Sequence, residues 1–185
     1  MLTTQQIVEQ TEKWIQDVVV ACNFCPFAAQ VIRQKKVHYE VETSNQLDSC
    51  LEAVLRELNR LENESTIETT FLIFPDAFKE FDDFLDLVSL AEDLLEQSGF
   101  DGIYQLASFH PLYLFANSSK TDPANYTNRS IYPMLHLLCE SSIDRALENY
   151  KHPENIPDTN INFAREKGLA AMQQLRDSCL TRTLG

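Results

Sequence analysis

Nothing in the 185 residues approaches the ~20-residue apolar run of a membrane-spanning helix. The opening MLTTQQIVEQ also lacks the basic region followed by an apolar one that marks an export leader. These two absences predict a cytoplasmic protein. In that compartment the five cysteines are expected as thiols and not as a disulfide framework. Asn-x-Ser/Thr matches at Asn63, Asn117, Asn125 and Asn128 are then short-motif coincidences. Positive charge is scarce as well: 15 Lys and Arg against 28 Asp and Glu, a net −13. That balance argues against a general nucleic-acid binder. Internal repeats, low-complexity tracts and a second-domain linker are all missing, so residues 1–185 are expected to form one globular domain.

What is present is ordinary for such a domain, with 44% hydrophobic and 23% charged residues. The acidity is concentrated in residues 40–101, which hold 17 acids and 3 bases. Residues 102–185 hold 8 of each, so a site there could accept an anion.

Along the chain, Thr3 with Gln6 makes a capping-box pattern. Ile7, Thr11, Trp14, Ile15, Val18 and Cys22 follow on one helical face. Pro26 disfavours helix at Cys25 and suits the first position of a new helix reaching about Gln34. Cys25 would then be the N-cap, where N–H groups and the helix dipole favour a thiolate. Val37, Tyr39 and Val41 alternate with His38, Glu40 and Glu42 as in a half-buried strand. A second helix, with Thr43 and Gln46 as its box, carries Leu47, Leu51, Val54, Leu55, Leu58 and Leu61. Thr70–Phe74 reads as a strand covered on both faces. A third helix after Asp76 runs to a stop at Gly99, and Ile103–Phe109 is the next strand.

This order predicts an α/β fold: a small three-stranded, mostly parallel sheet in order 1-2-3 with helices on both faces. The crossover helices would share one face and the terminal helices the other. Leu112–Phe115 is a candidate fourth, antiparallel strand. Ser130 with Pro133 predicts a helix start, and a last helix is expected over about Thr159–Cys179. Its narrow face is Ile161, Ala164, Gly168, Ala171 and Leu175. Thr181–Gly185 is expected to fray.

The stretch from Tyr104 to Glu140 is the least explained by burial. His110 ends a strand where parallel sheets place ligands, making it a candidate general acid or base; its bland alternative is a histidine bonded to a loop carbonyl. Arg129, beside the helix N-terminus expected after Ser130, is a candidate carboxylate or phosphate receptor. The alternative is an Asn125, Asn128 and Ser130 set that only satisfies loop backbone. Cys22, Cys25, His136 and Cys139 formally make a Cys3His zinc set, and Cys22-x-x-Cys25 a redox pair, though that motif here follows a helix. Cys50 and Cys179 read as core residues.

Asn23-Phe-Cys-Pro-Phe-Ala28, Tyr104-Gln-Leu-Ala-Ser-Phe-His-Pro111, Asp122-Pro-Ala-Asn-Tyr-Thr-Asn-Arg-Ser130 and Tyr132-Pro-Met-Leu-His-Leu-Leu138 together resemble the family called domain of unknown function 1415. The resemblance spans nearly the whole chain and supplies no reaction. It implies that Cys25, Pro26, His110, Asn125, Tyr126, Asn128, Arg129 and His136 belong to one shared pattern. Departures at Cys22, Ile131 and Cys139 weaken the zinc set and the redox pair.

Three functional readings follow. In the first, Cys25 is a nucleophile with His110 as its base and His136 as the alternative base. Asn125 or Asn128 orients the histidine, Tyr126 walls the pocket, and Arg129 with Ser130 holds an anionic substrate. In the second, the same residues bind an anionic metabolite or a partner's acidic tail without chemistry. The third is a zinc-site protein. No cofactor or membrane partner is expected, and the metal set is not carried into the site.

Overall fold

The computed structural model describes residues 2–148 and 150–180; the expectation for Thr181–Gly185 lies outside them. The first helix, α1 (Thr4–Trp14), begins at the expected capping box. Thr3 Oγ1 accepts from the Gln6 N–H at 3.2 Å, and Gln6 Oε1 accepts from the Thr3 N–H at 3.0 Å. The helix then widens into a π-helical segment, Ile15–Val20, in which the Ala21 N–H reaches back to the Gln16 carbonyl. That wider turn lets Trp14, Ile15, Val18 and Val19 all point inward. Helix α2 (Pro26–Arg33) follows with Pro26 at its start and Cys25 as N-cap.

Strand β1 (Val37–Val41), helix α3 (Leu47–Asn63), strand β2 (Thr69–Ile73), helix α4 (Phe81–Gln97) and strand β3 (Tyr104–Phe109) come next. The N-caps of α3 and α4 are Gln46 and Glu80, so the Thr43 box does not form and α4 begins well after Asp76. The Ser44 hydroxyl instead accepts the Gln46 N–H, tightening the approach to α3. Gly99 does sit in the left-handed region, at φ +78°, just past the end of α4.

The sheet has four strands in order β1-β2-β4-β3. Its fourth strand, β4 (Met134–Cys139), is antiparallel to both neighbours. The three expected strands therefore share one direction, but β2 and β3 are not adjacent. This corrects the expected three-stranded, mostly parallel sheet in order 1-2-3, since two of the three strand pairings are antiparallel. An antiparallel strand exists, yet it is Met134–Cys139 and not Leu112–Phe115, and no helix starts at Ser130. The ladder forms because MLHLL can be buried on both faces, and the Pro133 carbonyl extends it by accepting the Phe74 N–H at 2.9 Å. In Leu112–Phe115, side chains claim the backbone groups that a strand would need: the Leu112 N–H bonds His110 Nδ1 and the Phe115 N–H bonds Asn125 Oδ1.

Each face of the sheet carries its own apolar layer. On one, Trp14, Ile15 and Val18 join Ala164 and Met172 of the C-terminal helices over Phe71, Ile73 and Met134. On the other, Val54, Leu58, Phe84, Leu87 and Ala91 cover Leu72, Leu135 and Leu137. Crossover helices on one face and terminal helices on the other is the expected layering. Each large side chain so buried contributes about 1.5–3 kcal/mol. Helix α5 (Glu140–Leu147) follows β4 directly.

The last helix is two helices, α6 (Ile156–Lys167) and α7 (Leu169–Asp177), divided at Gly168. Gly168 has φ +84° and ψ +157°, a region open in practice only to glycine. The small face expected across it is broken there; Ala164 reaches the core. Gly168→Ala is expected to lower stability by about 1–3 kcal/mol, read from the urea midpoint at unchanged slope.

Candidate functional site

His110 emerges from β3 on the face covered by α3 and α4. Its ring lies 5.3 Å from that of Phe81 and 5.1 Å from that of Phe84. Both ring nitrogens are committed. Nε2 lies 2.8 Å from the Phe78 carbonyl, so it carries the proton and donates, while Nδ1 accepts the Leu112 N–H at 3.0 Å. Burial holds the imidazole below its ordinary pKa despite the Phe78 bond. The histidine is neutral, and its acceptor nitrogen has no free lone pair with which to take a proton. The loop-carbonyl reading of His110 is the one the geometry matches.

The Asp122–Ser130 motif folds around a 3-10 turn, Pro123–Thr127. Asn125 is fully buried and ties three points together. Its Oδ1 accepts from the Phe115 N–H and the Ser118 hydroxyl, and its Nδ2 donates to the Ser119 carbonyl. Asn128 accepts the His110 N–H on its carbonyl at 3.2 Å and the Thr127 hydroxyl on its side chain; it does not touch the imidazole. Ser130, also fully buried, donates to the Tyr132 carbonyl at 2.5 Å and caps no helix. Tyr126 lies against two guanidiniums, Arg129 at 4.9 Å and Arg176 at 5.5 Å from its ring centre. Arg176 in turn donates to the Pro111 carbonyl, and Arg165 pairs with Asp122 at 2.8 Å. The motif thus holds the 110–122 loop to itself and to the last two helices.

Arg129 is the exception to this closed set. It is only 9% exposed, and it donates from Nε to the Tyr113 carbonyl at 2.9 Å and from Nη2 to the Lys120 carbonyl at 3.1 Å. Among the described residues it has no carboxylate partner. A cavity of about 340 Å³ opens beside it, lined by Glu80, Phe81, Asp82, Leu112, Leu114 and Lys120. Two donors used out of a guanidinium's five leave capacity for an incoming acceptor.

Cys25 lies elsewhere. It packs with Phe27, Val31, Val37 and Leu138 on the sheet face opposite His110, with the sheet between the two. Burial pushes its thiol up, outweighing the lowering from the Ala28 and Phe27 N–H groups. The expected lowering by the helix cap is therefore present but loses to desolvation. Cys22 is raised for the same first reason.

His136 shares the Cys25 face, stacked on Phe71 with ring centres 3.8 Å apart. Its Nε2 is 2.6 Å from Thr69 Oγ1, and that hydroxyl donates to the Leu137 carbonyl; Nε2–H is therefore the donor to threonine. Burial lowers its pKa to about 3. On a strand, His136 and Cys139 point to opposite faces, so the Cys3His zinc set does not assemble. Cys50 and Cys179 are fully buried, as expected.

Two features escaped the sequence reading. Cys139, at the N-cap of α5, is raised by burial, but hydrogen bonds from Ser141 and Ser142 outweigh this and hold its thiol below the ordinary range. Second, His38, Glu40 and Glu57 bring one ligand atom each within 4.8 Å of one another. The signal for the latter was legible: Glu57 stands at helical spacing inside the apolar stripe of Val54, Leu58 and Leu61, where a carboxylate has no packing reason to be.

The family model described as Protein of unknown function (DUF1415) matches residues 6–174, and the chain belongs to that family. No curated protein and no solved structure matches.

Two outcomes are expected. The folded pKa of His136 is about 3 against an ordinary 6.5, so the unfolded chain binds the extra proton between those values. Its contribution to stability is full above pH 6.5 and is lost as pH falls through that window. Denaturation midpoints of His136→Leu should accordingly depend less on pH there than those of the parent. Alkylation at neutral pH, followed by peptide mass spectrometry, should label Cys139 first and Cys25 more slowly, with Cys50 and Cys179 labelled only on unfolding. Cys25 labelling ahead of Cys139 would reverse this ranking.

Proposed function

We propose that this is a cytoplasmic, non-catalytic binding protein for a small anionic metabolite, seated in the cavity beside Arg129. The observation that carries the reading is the nearly buried Arg129 guanidinium, which lacks a carboxylate partner among the described residues. A desolvated charge without a counter-ion is unfavourable, and a carboxylate or phosphate would supply it through charge-assisted hydrogen bonds. Lys120 on the same cavity adds a second positive group, while Phe81, Leu112 and Leu114 provide apolar walls. Glu80 and Asp82 face the same space. They favour a ligand with a cationic or hydroxyl group beside its anionic one.

Binding is favoured over nucleophilic catalysis by the position and state of the sulfur. Cys25 lies across the sheet from His110, its thiol is raised, and His110 has no free acceptor. Asn125, Asn128, Tyr126 and Ser130 serve the proposed site by holding the loop that presents Arg129. Free thiols at all five cysteines suit a reducing compartment.

Calorimetric titration with inorganic phosphate, a dicarboxylic acid and an α-amino acid tests the proposal. One of these should bind saturably. Lys120 is exposed, so Lys120→Ala should weaken that binding about tenfold at unchanged stability. Arg129→Lys should weaken it further, because the fork geometry is lost. Saturable binding by none of the three probes would remove the proposal.

A further inference from the structure

Edge strand β1 sends Val37, Tyr39 and Val41 to the core under α1. By the two-residue period of a strand, His38, Glu40 and Glu42 go to the other face, where α3 crosses them. There His38 Nε2 lies 3.5 Å from Glu40 Oε2 and 3.5 Å from Glu57 Oε2. The nitrogen is buried and has no hydrogen-bond partner. The Glu57 side chain is completely buried, and the imidazole and Glu40 are about a quarter exposed, at 26% and 27%.

The guanidiniums around this cluster leave the converging oxygens available. Arg60 shares a single N–H, on Nε, between the two Glu57 oxygens at 3.3 and 3.1 Å. A carboxylate has about four lone-pair sites, so each of those oxygens keeps one. Arg56 bonds Glu40 through Oε1 at 3.2 Å, leaving Oε2 turned to the histidine. Around the pair of arginines stand four carboxylates, those of Glu40, Glu42, Glu57 and Glu64. Two negative charges are therefore unmatched when His38 is neutral.

We propose that His38, Glu40 and Glu57 form a binding site for a divalent transition cation of the zinc class. Three independent properties meet there. Metal bonds of 2.0–2.2 Å in a tetrahedral site place ligand atoms about 3.4 Å apart, and both His38 edges of the triangle already have nearly that length. One imidazole with two carboxylates suits zinc or manganese, not a soft copper(I) or an all-oxygen calcium site. A charge of two matches the local excess, which explains how a fully buried glutamate is tolerated in an apolar helix stripe. The bound cation would pin α3 to the sheet edge.

The test is titration of the intact chain with cobalt(II) as a spectroscopic substitute for zinc, with zinc competition and circular dichroism to check folding. One equivalent should produce a visible absorption band with no sulfur-to-cobalt charge transfer, and zinc should remove it. His38→Ala should abolish the band. Glu40→Gln, at a partly exposed position that does not threaten folding, should weaken binding by at least tenfold. A spectrum dominated by sulfur ligation, no saturable change, or a band undiminished in Glu40→Gln would each show an ion-pair network only and overturn the proposal. None of these readouts involves Arg129, so the anion site stands or falls separately.

Discussion

A strand buried on both faces in the middle of a sheet cannot carry a charge, and β4 imposes that condition on everything around it. Met134, Leu135 and Leu137 are wholly removed from solvent, and the one polar side chain among them, His136, is neutral, stacked and hydrogen-bonded. An uncompensated ion at that depth would cost several kcal/mol. The titratable chemistry of this chain is accordingly pushed outward, to the free edge at β1 and to the loops beyond the strand ends.

The same strand explains why residues that look like one constellation in the sequence are two places in the molecule. With β4 between β2 and β3, the sheet is a continuous wall. Cys25 is delivered to one side by α2, and His110 to the other by the pleat of β3. No rotamer change brings them together, because the separation is a property of the backbone and of two complete apolar layers. What the Tyr104–Ser130 region does instead is structural for most of its length. His110, Asn125, Asn128 and Ser130 satisfy the backbone of an irregular loop that has no strand partner. A buried loop of this kind is tolerated only when its polar groups are paired in this way. Arg129 is the member whose capacity exceeds what the loop consumes.

The two proposed sites obey one rule from opposite sides. Arg129 is a positive group sheltered from water with only neutral acceptors, so it favours an anion. Glu57, with His38 and Glu40, is a negative group sheltered from water with too few cations, so it favours a divalent metal. In both places the buried charge is held by named neighbours: two carbonyls and a tyrosine for the arginine, and the Arg60 N–H with the more distant Arg56 for the glutamate. Preorganised, undercompensated charge of this sort is what a ligand can exploit, because the desolvation has already been met by folding.

Much of the fold was legible in local patterns. The capping box at Thr3, Pro26 after Cys25, the alternation of Val37–Val41, the apolar stripe of α3 and the left-handed Gly99 are each decided by atoms a few residues apart, so their signals survive in the linear chain. The family motifs likewise marked the loop around Arg129. Long-range pairing decided the rest. MLHLL reads equally well as a buried helix turn or a buried strand, and only partners on β2 and β3 make it a strand; LYLF has better strand formers and forms none, because Asn125 and His110 take its N–H groups first. Which face a side chain occupies depends on that pairing, and so does the meeting of His38 with Glu57, nineteen positions along the chain. Local sterics and capping are encoded residue by residue, whereas desolvation, which sets the state of Cys22, Cys25, His110 and His136, exists only once the layers have closed.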